Sequence, residues 1–200
     1  MTKSEEKREQ ILDAAMHCLA KYGMLKSTLD DIAKLMGLKK AALYYYYKNK
    51  EAIFHDALER EANRYYEEVQ KKIIPQMTAS EKLVISVGFY YDYFASRADI
   101  LELNTQAMID NHTLIQAIYK QNCKENRSYF AHLIKEGIKS GEFRGMNTEK
   151  AAEALRLILE TQRLEKFRQA FEQKQKEPDY KQLKKDSLFI LDIFINGIKK

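Results

Sequence analysis

Two hundred residues, 45% hydrophobic and 32% charged, are the proportions of a globular chain able to bury a core. No run approaches the roughly 20 apolar residues of a membrane span, and the polar start MTKSEEKREQ does not read as a secretory signal. The two cysteines, Cys18 and Cys123, sit far apart in apolar-periodic segments, which points to a reducing, cytoplasmic setting rather than a disulfide framework.

The net charge of +5 is unevenly spread. Residues 1–50 hold ten Lys/Arg against six Asp/Glu, and no acid falls between Ile32 and Lys50, where Lys34, Lys39, Lys40, Lys48 and Lys50 all lie. A positive face confined to one short segment is what a polyanion site requires, although a solvated lysine-rich helix face gives the same count.

Only 7 Gly and 2 Pro interrupt the chain, so the expectation is all-α, with helices joined by short turns. The first helix, over 5–22, carries Ile11, Ala14, Ala15, Cys18, Leu19 and Tyr22 on one stripe and ends at Gly23. Thr28, three residues before Asp31, caps a short second helix, Leu29–Met36, closed by Gly37. A third helix runs from Lys39 or Lys40 to about Tyr47, and a long fourth from Lys50 to Ile74, stopped by Pro75. Five further helices are expected over 79–96, 98–111, 113–140, 148–173 and 180–198.

Two short helices around a tight turn at Gly37 form a helix-turn-helix. Four consecutive tyrosines, Tyr44–Tyr47, cannot all face inward at about 100° per residue. Leu43 and Tyr47 share the inner face, which leaves Tyr44 and Tyr45 outward beside Lys40.

The stretch from Ile11 to Phe54 resembles the DNA-binding segment of the TetR family of bacterial transcription regulators. Ala14-Ala15, Gly23, Ser27-Thr28, Ile32-Ala33, Gly37, Leu43-Tyr44 and Tyr47-Lys48-Asn49-Lys50-Glu51 carry the resemblance. It departs from the family pattern at Lys39, where Ser or Thr usually opens the third helix, at Ala42, and at Tyr47, where Phe is commoner. The resemblance implies about nine helices: a helix-turn-helix domain over 1–50 (motif about 28–47), a connecting helix over 51–74, and a ligand-binding and dimerisation domain over 75–200.

In a helix-turn-helix the second helix enters the major groove with its amino end nearest the bases. Lys39, Lys40, Ala41 and Ala42 then meet base edges, with Lys40 donating to guanine and the alanine methyls against thymine methyls. Tyr44 matches a phosphate-contacting position of the family, and Tyr45 and Tyr46 reach base or sugar. Thr28, which also reads as a plain helix cap, and Lys50 complete the phosphate set.

The resemblance further implies a homodimer on a palindromic operator, paired through the last two helices at Leu155, Ile158, Leu159, Leu188, Leu191, Phe194 and Ile195. An ordinary core helix yields the same pattern. Phe89, Tyr90, Tyr93, Phe94, Met108, His112, Tyr119, Cys123, Phe130 and Gln162, with Gly88 leaving room, are the candidate walls of a cavity for a lipophilic or amphipathic small molecule, though aromatic stripes at this spacing also build plain cores. The function implied is a regulator, generally a repressor released by its ligand. A ligand-independent, DNA-bound structural protein of the same fold is the alternative. No enzyme motif is present: His55 with Glu59 and His132 with Glu136 offer two metal donors each, and there is no phosphate loop or nucleophile elbow. No catalytic residue, metal or cofactor is expected.

Overall fold

The computed structural model describes residues 2–97, 113–175 and 177–200, with 113–123 described as backbone only. Among these residues there are eight helices: α1 (Lys3–Lys26), α2 (Leu29–Leu35), α3 (Lys40–Leu43), α4 (Lys50–Lys72), α5 (Ala79–Ala95), α6 (Thr113–Ser140), α7 (Thr148–Glu172) and α8 (Tyr180–Ile198). The helix expected over 98–111, with Met108 and His112, lies outside the described residues, as do the side chains of Tyr119 and Cys123.

Helix starts follow from local chemistry. Thr2, Thr28 and Thr78 each close a reciprocal capping box with the acid three residues on, Glu5, Asp31 and Glu81. Asn147 and Asp179 cap α7 and α8. Helix α3 has no side-chain cap, and it is shorter than the sequence leads one to expect. It stops at Leu43, and Tyr44–Tyr46 form a turn in which the amides of Tyr46 and Tyr47 both donate to Leu43 O. With an uncapped start and three bulky rings in a row, nothing local sustains a further turn.

Contacts divide the chain into two compact units, Met1–Arg64 together with Arg97, and Tyr65–Ser96 together with the chain from Tyr119 onward. Helix α4 belongs to both.

In the first unit α1 packs on α2 and α2 on α3. Ile11, Cys18, Leu19, Ile32, Leu43, Ile53, Phe54 and Ala57 are almost fully buried there. Gly23 takes φ +73 within α1, so the chain turns there even though helical bonding resumes to Lys26. Ser27, fully buried, sets its hydroxyl between Gly23 O at 2.6 Å and Cys18 O at 3.0 Å. Arg60 of α4 reaches back to α1, donating to Glu9 and Asp13, each at 2.8 Å. The buried Glu61 accepts from Arg64 and Arg97, both at 2.7 Å. Arg60, Arg64 and Arg97 are thus linked with Glu9, Asp13 and Glu61 in one ion network.

In the second unit α8 packs on α5 and α7 over a core that includes Leu83, Ile134, Leu155, Leu183 and Leu191. A Cβ at Gly137 would lie 2.2 Å from the Phe143 ring, so only glycine lets α6 pass that side chain. Beside it, the Glu142 carboxylate accepts from Ala79 N and Ser80 N at 2.9 and 3.1 Å, capping α5 from the α6–α7 turn. No helix among the described residues is long and apolar enough to cross a membrane.

Candidate nucleic-acid interface

Gly37, at φ +64, makes the turn between α2 and α3 in a backbone region that other residues seldom adopt. Leu43 and Tyr47 hold α3 to the unit from its inner face and are 0% and 6% exposed. The Tyr47 hydroxyl, the departure from the family's usual Phe, has a partner. Asp56 stands beside it, and burial together with that carboxylate pushes the phenol above its ordinary range. The Arg8 guanidinium sits 5.0 Å from the Tyr47 ring centroid.

What remains outward is the basic, phenolic face the sequence led us to expect. Tyr45 is 82% exposed and Tyr44 53%, with Lys39, Lys40 and Ala41 exposed and Ala42 and Tyr46 half-buried. The Tyr45 and Tyr46 rings meet edge to face at 5.0 Å, which fixes their directions without a partner from the core. Lys40 is not free: its Nζ lies 3.3 Å from Asp30 Oδ2. Lys48, exposed on the same stretch, was absent from the sequence-derived set, although its place in the acid-free run was a sufficient signal.

Two expected phosphate ligands are otherwise engaged. The Thr28 hydroxyl donates to Asp31 Oδ2 at 2.7 Å and accepts from Asp31 N at 3.2 Å. That hydrogen bond holds the Asp31 carboxyl below its usual range. The hydroxyl proton is therefore spent on the cap. Lys50 is the clearer case, because its ammonium donates to Met24 O at 3.2 Å, Leu25 O at 3.3 Å and Ser27 O at 2.9 Å. An ammonium has three donors, and all three go to carbonyls at the end of α1 that the helix leaves unpaired. Lys50 thus joins the head of α4 to the tail of α1.

The aromatic residues of α5 gather differently from the expected cavity wall. Phe89, Tyr90, Tyr93 and Phe94 surround Tyr65, with ring centroids 5.6–6.4 Å from it. These rings, with Val69 from α4, form a packed cluster. Gly88 makes room for α8, since a Cβ there would meet Lys184 Cε at 3.4 Å and Leu188 at 3.8 Å. Phe130 packs at the edge of the core. Gln162 accepts at 2.6 Å from Ser187, whose hydroxyl also lies 2.7 Å from the Tyr91 oxygen, while Gln162 Nε2 is buried without a partner.

Most of the residues expected to pair two subunits lie inside this chain. Leu155, Leu159, Leu191 and Ile195 are 0–9% exposed, and Leu188 and Phe194 pack against the same core. Leu155, Leu159, Leu191 and Ile195 are core residues, Leu188 and Phe194 are half-buried at its edge, and Ile158 points out. The outward apolar surface of these helices includes Leu157, Ile158, Phe189 and Ile193, between 47% and 66% exposed, with Leu164 and Phe171 exposed further along α7. His55, Asp56 and Glu59 place three metal-capable atoms within 4.8 Å of one another on the outer face of α4.

Residues 11–57 match the family model for bacterial regulatory proteins of the tetR family. Over 144 residues the chain is 25% identical to the fatty acid metabolism regulator protein of Bacillus subtilis, covering 72% of this chain and 74% of that one. It is 29% identical over 144 residues to the HTH-type transcriptional regulator QacR of Staphylococcus aureus, 68% of this chain and 73% of that one. A transcriptional regulator from Cytophaga hutchinsonii superposes with a TM-score of 0.78 at 26% identity, covering 97% and 99% of the two chains. Residues 11–57 carry the DNA-binding segment of the tetR family. That segment coincides with the helix-turn-helix described above.

Proposed function

We propose that this TetR-family chain is a dimeric, operator-specific repressor released from DNA by an amphipathic or lipophilic small molecule. The observation that carries the DNA half is the outward pair Tyr44 and Tyr45 standing beside Lys39 and Lys40 on the reading helix. Exposed phenols on a short basic helix suit a partner that accepts hydrogen bonds at phosphates and offers base edges and sugars. Lys39, Lys40, Ala41 and Ala42 face bases, Tyr44 and Lys48 face the backbone, and Tyr45 and Tyr46 lie between them.

Residues 1–50 form the DNA-binding domain, 51–74 the connecting helix and 75–200 the sensor and pairing domain. Two copies pair through the outward apolar residues Leu157, Ile158, Phe189 and Ile193, which would otherwise be left in water. The ligand class rests on relatives: one carries the name fatty acid metabolism regulator, and a structure of Bacillus subtilis FadR holds stearoyl-CoA. Because α4 belongs to both units, a ligand-driven change in the second reaches the first along that helix.

The test is fluorescence anisotropy on a labelled duplex carrying the DNA upstream of the protein's own gene. Expected are binding whose log affinity falls steeply with log salt, a loss of about tenfold for Tyr45→Ala, and release by stearoyl-CoA. A flat salt response overturns the DNA reading. Binding that stearoyl-CoA leaves unchanged overturns the acyl ligand alone.

A further inference from the structure

Lys40 enters the reading face with a partner. Asp30, at the second position of α2, holds its Oδ2 3.3 Å from Lys40 Nζ, and the two side chains are 68% and 43% exposed. The cap of α2 does not need this acid, because Asp31 alone closes the box with Thr28. Nor does the pair hold the fold together, since exposed ion pairs contribute at most about 1 kcal/mol. A carboxylate at the mouth of a phosphate-binding face moreover repels the polyanion it is meant to meet.

The major-groove edge of a G·C pair resolves the contradiction. Guanine O6 and cytosine N4 are hydrogen-bonded to each other, so an acceptor and a donor stand side by side about 2.9 Å apart. Lys40 and Asp30 present a donor beside an acceptor at nearly that separation. We propose that Lys40 and Asp30 work as one unit that reads a single G·C pair. Lys40 donates to guanine O6 and N7 while Asp30 accepts from cytosine N4.

Three consequences follow from the order of the two groups. A C·G or an A·T pair sets a donor where guanine O6 stood and an acceptor against Asp30, so those two contacts become repulsive, and in the A·T pair Lys40 keeps only the N7 acceptor. A T·A pair keeps the order but brings the thymine methyl where guanine offers N7 to the lysine. Away from the operator, a phosphate that draws Lys40 also faces Asp30, so the pair weakens non-specific binding, which is almost wholly electrostatic.

This inference rests on the DNA-binding reading above, and one experiment separates their failures. Randomised duplexes are enriched by binding to the wild-type full-length chain, to Asp30→Ala and to Lys40→Ala, and the base preference at each position is counted. Both sites are exposed, so both variants are expected to keep the wild-type helical circular dichroism. The wild type is expected to enrich a two-fold symmetric motif with a G·C column in each half. Both variants are expected to relax that same column by about tenfold, the scale of one good base contact, and to leave the others intact. Asp30→Ala is also expected to bind unselected duplex more tightly than wild type, and Lys40→Ala less tightly. If the variants relax different columns, or if Asp30→Ala relaxes none, the paired reading is overturned while DNA binding stands. If the wild type enriches nothing, the DNA reading falls and takes this inference with it.

Discussion

Lys50→Met removes the ammonium but keeps most of the aliphatic stem, so it isolates what the charge does. Three carbonyls lose their donor at once, at 2.9, 3.2 and 3.3 Å. A fully buried acceptor left without a donor costs roughly 1–3 kcal/mol. Here Leu25 is exposed and Lys50 only half-buried, so water recovers part of the loss. About 2 kcal/mol is the expected cost to the first unit, read as earlier urea unfolding and faster amide exchange over residues 19–29. The decisive assay is the salt dependence of DNA affinity. A lysine that neutralises a phosphate contributes about 0.9 to the slope of log affinity against log salt. With its ammonium committed to α1, Lys50→Met is expected to bind more weakly at every salt concentration along a line parallel to wild type. A slope shallower by about one, with unfolding unchanged, would show that the ammonium leaves the carbonyls for DNA, and the reasoning would fail.

Other outcomes are equally specific. Phe189→Asp with Ile193→Asp charges two outward residues and is expected to give a folded monomer by sedimentation, whereas Leu191→Asp, at a fully buried site, is expected to unfold the chain. Gly137→Ala drives a methyl into the Phe143 ring and is expected to cost about 1–3 kcal/mol in thermal or urea unfolding, with partial rescue by Phe143→Leu. Burial pushes the Cys18 thiol up to about 11, and burial likewise raises the phenols of Tyr65, Tyr91 and Tyr129. The folded chain therefore retains protons that the unfolded chain releases, so stability present below about pH 9 is expected to fall between about pH 9 and 11. Urea midpoints that stay constant across that window would contradict this burial.

The directions of the tyrosines were legible because helix geometry allows so few of four consecutive rings to point inward. Gly37 and the capping pair Thr28–Asp31 were equally plain, each being set within a few residues of chain. The last helix was not legible in the same way. Leu188, Ile190, Leu191, Phe194 and Ile195 cover more than one face, and only packing against α5 and α7 decides that Leu191 and Ile195 turn inward while Phe189 and Ile193 do not. For the aromatic run of α5 the missing information was Tyr65, more than twenty residues away, around which those rings close. Lys50 escaped for a similar reason: its partners are backbone carbonyls 23–26 residues earlier, and a backbone carbonyl leaves no signature in a sequence.

The network of Glu9, Asp13, Arg60, Glu61, Arg64 and Arg97 joins cations directly to anions, and its centre, Arg60 and Glu61, is 12% and 7% exposed at the side chain. Mobile ions screen separated surface charges far more than ion pairs in direct contact and partly desolvated. Brine strong enough to strip the protein from a duplex should therefore leave the brace between the first and fourth helices standing. Detachment and unravelling then become separable events, and a column eluted by a sodium chloride gradient would return material competent to bind again on simple dilution.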